Sequence, residues 1–261
     1  DVYKRQLHMG VALRGVGGMV HMLGHQRGGK DKPARGGGKD QFVHGNSLPR
    51  DDEPPSQQTG GNCAVLAYLW HKPTENSMSN LETAVVAGGC FWCTEAVFRD
   101  VVGVSLVESG YIGGTKASPT YKEVCTGTTG HAEAIRVTFD PHAISLAEIF
   151  DVFLGTHDPT QLNRQGGDIG TQYRSAIFPL SDAQGAEAEA AIARWNADND
   201  KTAVTTIEGL ADGEQSAPWY PAEDYHQEYW DGEGQRNPYC LAVIPPKLMK
   251  LRKSFQKYVK D

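Results

Sequence analysis

Three features that would place this chain in a special class of protein are absent. The 261-residue sequence has no excess of basic residues, because 32 Asp and Glu outnumber 25 Lys and Arg, which gives a net charge of −7. Non-specific nucleic-acid binding needs a basic surface, so we expect no nucleic-acid partner. No apolar run approaches the roughly 18 residues of a membrane span, and we expect no membrane association. We also find no internal repeat.

Cysteine is scarce as well. The five cysteines are Cys63, Cys90, Cys93, Cys125 and Cys240. Their odd number, together with an N-terminus that does not have the pattern of a signal peptide, argues against a structural disulfide framework. The sequence therefore favours a reduced, cytoplasmic setting in which one thiol is reactive.

Glycine is abundant but unevenly placed. Residues 1–77 hold 13 of the 30 glycines and show no sustained helical or strand period, so we predict a disordered or non-native extension there. Met78 precedes the first convincing strand, and our hypothesis is that one domain occupies residues 78–261. The alternative is a transit peptide, suggested by several arginines but weakened by the acidic residues among them.

The pattern of residues 78–261 predicts strands and helices that interleave irregularly. Strands are expected over 83–87, 102–109, 131–139, 172–178 and 201–207. Helices are expected over 91–99, 145–154, 181–196, 222–230 and 246–258, with Ser145 and Ser181 as N-caps of the second and third. This order predicts an α+β fold, a two-layer α/β sandwich with a mixed, largely antiparallel sheet, a ferredoxin-like core and long loops.

Cys90 is the first candidate for chemistry. It follows Gly88-Gly89 at the junction between an expected strand and an expected helix. Free N–H groups and the positive end of the helix dipole favour a thiolate there, so we expect a pKa below the ordinary value of about 8.5. The alternative is that Cys90 is a small core residue.

Cys93 completes a C-x-x-C pair with Cys90. The spacing suits a disulfide, as in thiol oxidoreductases, or half of a zinc site. Zinc is weakly supported because there is no second C-x-x-C, and we expect no metal. Phe91 and Trp92 lie between the cysteines and could either pack in the core or form a cup for an apolar group such as a methyl.

The motif at residues 89–98, Gly-Cys-Phe-Trp-Cys-Thr-Glu-Ala-Val-Phe, resembles the active-site signature of the peptide methionine sulfoxide reductase A family. Further segments resemble the family in the same order, and together the resemblance covers roughly residues 82–257. These segments are 110–114, 119–125, 129–134, 157–159, 168–175, 225–229 and 237–240.

The resemblance implies an enzyme that reduces methionine S-sulfoxide, free or in oxidised proteins, to methionine. Such a reaction needs a thiolate, an acid, and hydrogen-bond donors aimed at the sulfoxide oxygen. The resemblance makes Cys90 the nucleophile and Glu133 the acid, which burial must keep protonated. Tyr121 and Tyr173 are implied to donate hydrogen bonds to the oxygen.

Substrate contacts are also implied by the resemblance. Phe91 and Trp92 would seat the S-methyl group, and Asp168 would contact and support the substrate. His131, His157 and His226 are expected to be structural hydrogen-bonding residues, since no two share the spacing of metal ligands.

The sulfenic acid left on Cys90 would condense with a resolving thiol. Cys93 is nearer along the chain, whereas Cys240 is expected in a late loop flanked by Pro and Gly. We favour Cys240, with a disulfide relay as a further option, and expect Cys125 to be buried and inert.

The expected cofactor status is none bound, with thioredoxin or another dithiol as external reductant and a monomeric enzyme. Two rival functions stay open: a general thiol-disulfide oxidoreductase that uses Cys90 and Cys93, and a non-catalytic module that binds zinc or a sulfoxide.

Overall fold

The computed structural model describes residues 80–211 and 213–260, so the extension expected over residues 1–77 lies outside the described residues. Ten strands occur in the described part. They are β1 (Glu82–Gly88), β2 (Val104–Ile112), β3 (Ala132–Phe139), β4 (Arg164–Gln165), β5 (Asp168–Ile169), β6 (Ser175–Ile177), β7 (Thr206–Ile207), β8 (Leu210–Ala211), β9 (Glu214–Gln215) and β10 (Tyr220–Pro221). Strands β4 and β5 pair with each other, as do β8 and β9, and the other six form one sheet.

The main sheet has the strand order β10-β2-β3-β1-β6-β7. Every pairing is antiparallel except that of β6 with β7, which is parallel. Within the described residues there are five α-helices, α1 (Phe91–Arg99), α2 (Tyr121–Val124), α3 (Leu146–Thr156), α4 (Asp182–Asp198) and α5 (Pro238–Ser254). The succession β1-α1-β2-β3-α3-β6, with spatial order β6-β1-β3-β2, is the ferredoxin-like arrangement, so the predicted fold class is confirmed.

Alternate residues of β1 face opposite sides of the sheet, as the two-residue period of a strand requires. Ala84 and Val86 join the large core between the sheet and the helices. Val85 and Ala87 join a smaller core on the other face, where Trp219 packs against it. Both faces of β1 are covered from Ala84 onward, which explains why residues 84–88 form a continuous apolar run.

Local capping signals were reliable. Helix α1 begins and ends at the expected residues, 91 and 99. Ser145 caps α3 and forms a capping box with Glu148, and Ser181 caps α4 by accepting the N–H of Gln184. These signals act within one turn of chain, which is why the sequence alone reveals them.

The helix expected over residues 222–230 is wrong. The chain there forms two 3₁₀ turns, Asp224–His226 and Tyr229–Asp231. The N–H groups of Glu228 and Tyr229 donate to the Glu95 carboxylate, at 2.8 and 3.3 Å, so they do not form helical hydrogen bonds. Tertiary contacts thus override the helical pattern.

Two expected strands are shorter than their patterns suggested. Residues 172–178 divide into a 3₁₀ turn (Thr171–Tyr173) and β6. Residues 201–207 contribute β7 alone, because the N–H of Ala203 binds the Asn196 side chain and that of Val204 binds the Pro159 carbonyl. These N–H groups make loop contacts in place of ladder bonds.

The last helix begins eight residues before its expected start. Asn237 caps α5 by accepting the N–H of Tyr239, and Pro238 occupies the first helical position. Pro245 and Pro246 lie inside the helix, where proline normally breaks the pattern, and this misled the sequence-based boundary.

Candidate active site

Cys90 lies at the junction of β1 and α1, where it is the N-cap residue of the helix. Gly89 makes the turn with a φ of 96°, and a Cβ there would come within 2.6 Å of the Gln165 side chain. Only glycine satisfies both conditions. The turn places Cys90 at the helix start, as the sequence predicted, with 2% of its surface exposed.

The predicted low pKa of Cys90 is wrong. Burial, a hydrogen bond to Cys93 and the charges of Cys93, Glu133 and Asp168 raise the pKa of Cys90 well above its ordinary value. The same hydrogen bond, which Cys90 donates, lowers the pKa of Cys93. The two thiols therefore act as a pair in which Cys93 holds negative charge more readily.

Glu133 reaches the site from β3 and is 1% exposed. Its Oε2 accepts the N–H of Phe91, the first residue of α1, at 3.1 Å. Burial raises the pKa of Glu133 well above its ordinary value, with Asp168 and Cys93 adding to the effect. Its Oε1 is buried and has no hydrogen-bond partner among the described residues. A protonated carboxyl with a free oxygen beside the thiols can act as an acid.

Tyr121 and Tyr173 are both less than 9% exposed and interact electrostatically with Glu133, Cys90 and each other. Burial raises the pKa of both phenols above the ordinary value, so each keeps its proton and can donate it in a hydrogen bond. Tyr121 begins the short helix α2, where its N–H binds Glu223 at 2.9 Å. The structure thus brings both predicted donors to the site.

Cys125 adjoins this group and differs from its predicted state. It follows α2 directly and is partly exposed, although the sequence suggested full burial. It accepts a hydrogen bond from Tyr121, yet burial is the largest influence and raises its pKa to about 12. Cys125 is therefore a thiol near neutral pH.

Asp168 comes to the site on β5, and its closest described partner was missed by the sequence reasoning. The hydroxyl of Tyr239, in the first turn of α5, donates a short hydrogen bond to Asp168 Oδ2. The same hydroxyl lies close enough to Cys93 to lower the pKa of that thiol when it points there instead. Burial raises the pKa of Asp168 despite this bond. Tyr239 lies next to Cys240 in a family-like segment, and that position was the available signal.

Phe91 and Trp92 are each 1% exposed and form part of an aromatic cluster. The Trp92 indole N–H donates to Nδ1 of His226 at 3.1 Å, and the Tyr229 ring stacks on Trp92 with centroids 3.9 Å apart. Phe91 stacks over Tyr121 at 6.2 Å. Phe91 and Trp92, which were predicted to contact the S-methyl group, therefore pack together with Tyr121, the predicted hydrogen-bond donor, in one apolar surface.

Glu95 is a second residue that the sequence reasoning missed. It is fully buried in α1, and burial raises its pKa to about 7 while the N–H groups of Glu228 and Tyr229 oppose the shift. A carboxylate in an otherwise apolar helix is the signal that could have identified it. Through these bonds Glu95 anchors the 3₁₀ turns that carry Tyr229 behind the site.

Cys240 is not in a loop, as the sequence suggested, but in the first turn of α5 with none of its surface exposed. Burial and the charges of Cys93 and Asp168 raise its pKa to about 12. Of these two charges, that of Cys93 has the larger effect on the pKa of Cys240. The four described cysteines are all free thiols.

The structural role predicted for three histidines is confirmed. His131 accepts the N–H of Gly114, His157 bonds the Phe153 carbonyl and Ser175, and His226 accepts from Trp92. Within residues 80–211 and 213–260 no three His, Cys, Asp or Glu side chains converge as a metal site would require. No helix in this part of the chain is long and apolar enough to cross a membrane.

Comparison with known proteins agrees with the geometry of the site. The family model for peptide methionine sulfoxide reductase matches residues 82–259. Peptide methionine sulfoxide reductase MsrA of Erwinia tasmaniensis is 63% identical over 177 residues, which cover 68% of this chain and 96% of that protein. MsrA of Deinococcus radiodurans is 52% identical over 179 residues, 67% of this chain and 82% of that protein.

Solved structures show the same likeness. Reduced Mxr1 from Saccharomyces cerevisiae superposes with a TM-score of 0.55 at 35% identity, covering 61% of this chain and 91% of Mxr1. Methionine sulfoxide reductase A of Corynebacterium diphtheriae gives a TM-score of 0.51 at 34% identity, over 61% of this chain and 76% of that protein. The match of the family model and the identity to these relatives show that the chain belongs to the peptide methionine sulfoxide reductase (MsrA) family.

Proposed function

We propose that Cys90 and Glu133 carry out the family's thiol-dependent reduction of methionine sulfoxide as nucleophile and acid. The observation that carries this proposal is the position of Glu133, whose Oε2 is fixed by the N–H of Phe91 next to Cys90 while Oε1 stays free. A buried, protonated carboxyl can then donate to the sulfoxide oxygen.

The first step forms a sulfur–sulfur bond and moves two protons. As the Cys90 sulfur attacks the sulfoxide sulfur, its proton passes to Cys93, with which it shares a hydrogen bond. The proton of Glu133 goes to the sulfoxide oxygen, and Tyr173 donates a hydrogen bond to that oxygen. Tyr121 does the same after its hydroxyl turns away from Cys125, to which it donates in this structure. Collapse of the adduct moves the hydroxyl group from the substrate sulfur to the Cys90 sulfur, so that both the substrate's sulfur–oxygen bond and the new sulfur–sulfur bond break. It releases methionine and leaves Cys90 as a sulfenic acid.

The substrate's S-methyl group would lie against Phe91 and Trp92, and its polar part would meet Asp168. A site that fixes the oxygen on one side and the methyl on the other accepts one configuration at sulfur. We therefore expect reduction of the S epimer and no reduction of the R epimer. Equal rates on separated epimers would contradict this arrangement of the site.

The structure supports a two-stage resolution of the sulfenic acid. Cys93 already shares a hydrogen bond with Cys90, so it would form the first disulfide and release water. Cys240, whose thiol is influenced by Cys93, would then attack Cys93 and free Cys90. This order differs from the expectation from the sequence, which favoured Cys240 as the first thiol to react with the sulfenic acid on Cys90. Because Cys240 is fully buried, the first turn of α5 must open before a reductant reaches it.

Disulfide mapping after one turnover without reductant tests this order. We expect Cys90–Cys93 in the Cys240→Ser variant and a persistent sulfenic acid in Cys93→Ser, which would also make its single methionine more slowly. Cys125→Ser is the matched control and should map like the parent. A Cys90–Cys240 bond formed at the parent's rate in Cys93→Ser would show that Cys240 resolves directly.

We infer an external dithiol protein of the thioredoxin class as reductant, since each cycle consumes two electrons and ends in a disulfide. A monomeric, cytoplasmic enzyme with no bound cofactor completes the proposal, and the free state of the four described cysteines fits a reducing compartment. Turnover with thioredoxin, thioredoxin reductase and NADPH, measured as loss of NADPH, tests the reductant. No sulfoxide-dependent loss would contradict it.

A general thiol-disulfide oxidoreductase is the second candidate, and the hydrogen bond between Cys90 and Cys93 favours it. The deciding comparison is insulin reduction against methionine sulfoxide reduction by the same preparation. Because Glu133 has a use in sulfoxide chemistry and none in thiol exchange, we expect Glu133→Gln to lower the second activity and spare the first.

A further inference from the structure

One lysine of α5 lies on the same side of the helix as Cys240. Lys247 follows Cys240 by seven residues, which is two helical turns, so the two residues lie one above the other. Ile244 and Leu251 belong to the buried side of the helix as well, and Lys247 is partly exposed at the edge of that side. The apolar stem of the lysine can therefore follow the packed face while its ammonium group stays in contact with water.

The ammonium group of Lys247 is not used in an ion pair. Within residues 80–211 and 213–260 it has no carboxylate within salt-bridge distance, whereas Arg252 of the same helix pairs with Asp100 at 3.0 Å. Its positive charge instead pulls the pKa values of three neighbouring groups downward, and these groups are Cys93, Asp168 and His157. The side chain of Lys247 thus brings an unpaired positive charge towards the thiols.

The other titratable groups that face Cys93 carry no positive charge. They come from four elements, and they are Cys90 on α1, Glu133 on β3, Asp168 on β5, and Tyr239 and Cys240 on α5. Cys90 donates a hydrogen bond to Cys93, while the charge of Asp168 disfavours the Cys93 thiolate. Lys247 therefore opposes Asp168 in deciding how readily Cys93 ionises.

Two further basic side chains lie near Lys247, and neither can replace it. Burial lowers the pKa of His157 to about 3, so this ring is neutral at pH 7. Lys250 is exposed, one turn further along α5, and the charge of Asp158 acts on it. Lys247 is therefore the cation of this group that is placed to act on Cys93.

We propose that Lys247 is a positioning residue that supplies the positive charge for the Cys93 thiolate, so that Cys93 attacks the sulfenic acid on Cys90 and closes the first disulfide quickly. This inference rests on the proposed order of resolution, in which Cys93 reacts before Cys240. Lys247 acts through Cys93 and needs no contact with the substrate.

The step that Lys247 assists joins two sulfurs and releases water. The Cys93 thiol gives up its proton, and the thiolate attacks the sulfur of the Cys90 sulfenic acid. A bond between the two sulfurs forms, the bond from the Cys90 sulfur to oxygen breaks, and the hydroxide takes up a proton and leaves as water. Cys93 is oxidised and Cys90 is reduced. Because the thiolate is the attacking form, a nearby positive charge speeds the step by increasing the thiolate fraction.

Competition for the sulfenic acid measures this step separately from the earlier chemistry. A Cys240→Ser background stops resolution at the Cys90–Cys93 disulfide. Each protein undergoes one turnover with methionine sulfoxide in the presence of dimedone, which traps sulfenic acids, and mass spectrometry gives the ratio of dimedone adduct to disulfide. That ratio does not depend on how fast the sulfenic acid forms.

Lys247→Met removes the charge and keeps the length of the side chain, whereas Lys247→Arg keeps the charge. Near pH 7 we expect Lys247→Met to raise the ratio of adduct to disulfide roughly 2- to 5-fold, since fewer Cys93 thiols are ionised and the higher nucleophilicity of the remaining thiolate offsets only part of the loss. At alkaline pH, where Cys93 is ionised in both proteins, the difference should vanish or reverse. Lys247→Arg should stay close to the parent. Lys253→Met, on the exposed side of α5, is the matched control and should do the same.

Iodoacetamide labelling of Cys93 is a second measurement that needs no turnover. The reagent is neutral, so the rate at high pH reports access to the thiol and the midpoint of the pH profile reports its ionisation. We expect the midpoint to rise by roughly 0.5–1 pH unit in Lys247→Met, less than the 1–3 units typical of an opposite charge in direct contact. Lys247→Gln takes the place of Lys247→Met if that variant does not fold.

An unchanged ratio or an unchanged labelling midpoint in Lys247→Met would overturn the proposal. A ratio that changes equally at every pH would also overturn it, because altered packing and not charge would then be the cause. Failure of the proposed function gives a different result. If no Cys90–Cys93 disulfide forms with Lys247 intact, the order of resolution and this inference both fail, and the labelling midpoint still shows whether Lys247 favours the Cys93 thiolate.

Discussion

Two helices of this protein start with a cysteine in or beside the first turn, and they treat it differently. At α1 the N-cap is Cys90 itself, its side chain caps no N–H, and the first helical N–H binds the acid Glu133. At α5 the N-cap is Asn237, which accepts the N–H of Tyr239 in the usual way, and Cys240 lies buried inside the turn. The N-cap side chain of α1 therefore stays available for chemistry, whereas the N-cap side chain of α5 is used to accept a backbone N–H.

The comparison also shows that a helix N-terminus has only a small effect on the pKa of a thiol. The helix dipole is worth about 0.3–1 kcal/mol, at most about 2, which is little more than one pKa unit. Full burial can shift a pKa by roughly 3–5 units. Burial accordingly raises the pKa of both Cys90 and Cys240. The pKa of Cys93 is lowered because Cys90 donates a hydrogen bond to it.

The largest expected effect comes from removing the nucleophile at the start of α1. Cys90→Ser should abolish methionine formation, because a serine hydroxyl is no comparable nucleophile at neutral pH. Serine is a favourable N-cap, so we expect α1 to form normally. Single-turnover product analysis, with circular dichroism as the folding control, checks this. A folded variant that keeps a tenth of the activity would remove Cys90 from its role.

The next largest effect concerns the acid at the start of α1. Glu133→Gln should slow the single turnover by roughly 10²–10⁴-fold, since glutamine holds the N–H of Phe91 but delivers no proton. Burial raises the pKa of Glu133, so the parent's rate should be constant at low pH and fall as pH rises through that pKa. The variant should lack this fall. An unchanged rate would point to Tyr121 or Tyr173 as the acid.

Thiol labelling tests how the pKa values of the cysteines differ. With iodoacetamide near pH 8 and peptide mapping, we expect Cys93 to react several-fold faster than Cys90, because both are 2% exposed and differ in pKa. Cys240 should be slower still. Cys125 is the control for exposure, since it is more exposed yet has a pKa of about 12. Faster labelling of Cys90 than of Cys93 would mean that Cys90, and not Cys93, holds the negative charge more readily.

The smallest expected effect tests the cap of α5. Asn237→Ala should lower the free energy of unfolding by about 1 kcal/mol, since the N–H of Tyr239 loses its acceptor. Asn237→Asp, which keeps an acceptor, is the matched control and should stay near the parent. Chemical denaturation measures both. Equal stability of Asn237→Ala and the parent would mean that Pro238 and the packing of α5 hold the turn without the cap.

Prediction from sequence succeeded where the deciding interactions are local. The capping box of Ser145 and Glu148, the turn at Gly89 and the bounds of α1 each depend on contacts within a few residues. It failed at residues 222–230, where the Glu95 carboxylate accepts the N–H groups of Glu228 and Tyr229, which lie 133 and 134 residues away in the sequence. No pattern within that segment reports such a partner.

The same division runs through the site. Sequence determined which residues come together, because Cys90, Glu133, Tyr121, Tyr173 and Asp168 form one electrostatic cluster as the motifs implied. Tertiary structure alone decided their protonation, because desolvation depends on everything packed around a group and outweighs the local effect of a helix start. It also brought His226 to Trp92 and Tyr239 to Asp168, contacts that bridge 134 and 71 residues and exist only once the sheet and helices have packed.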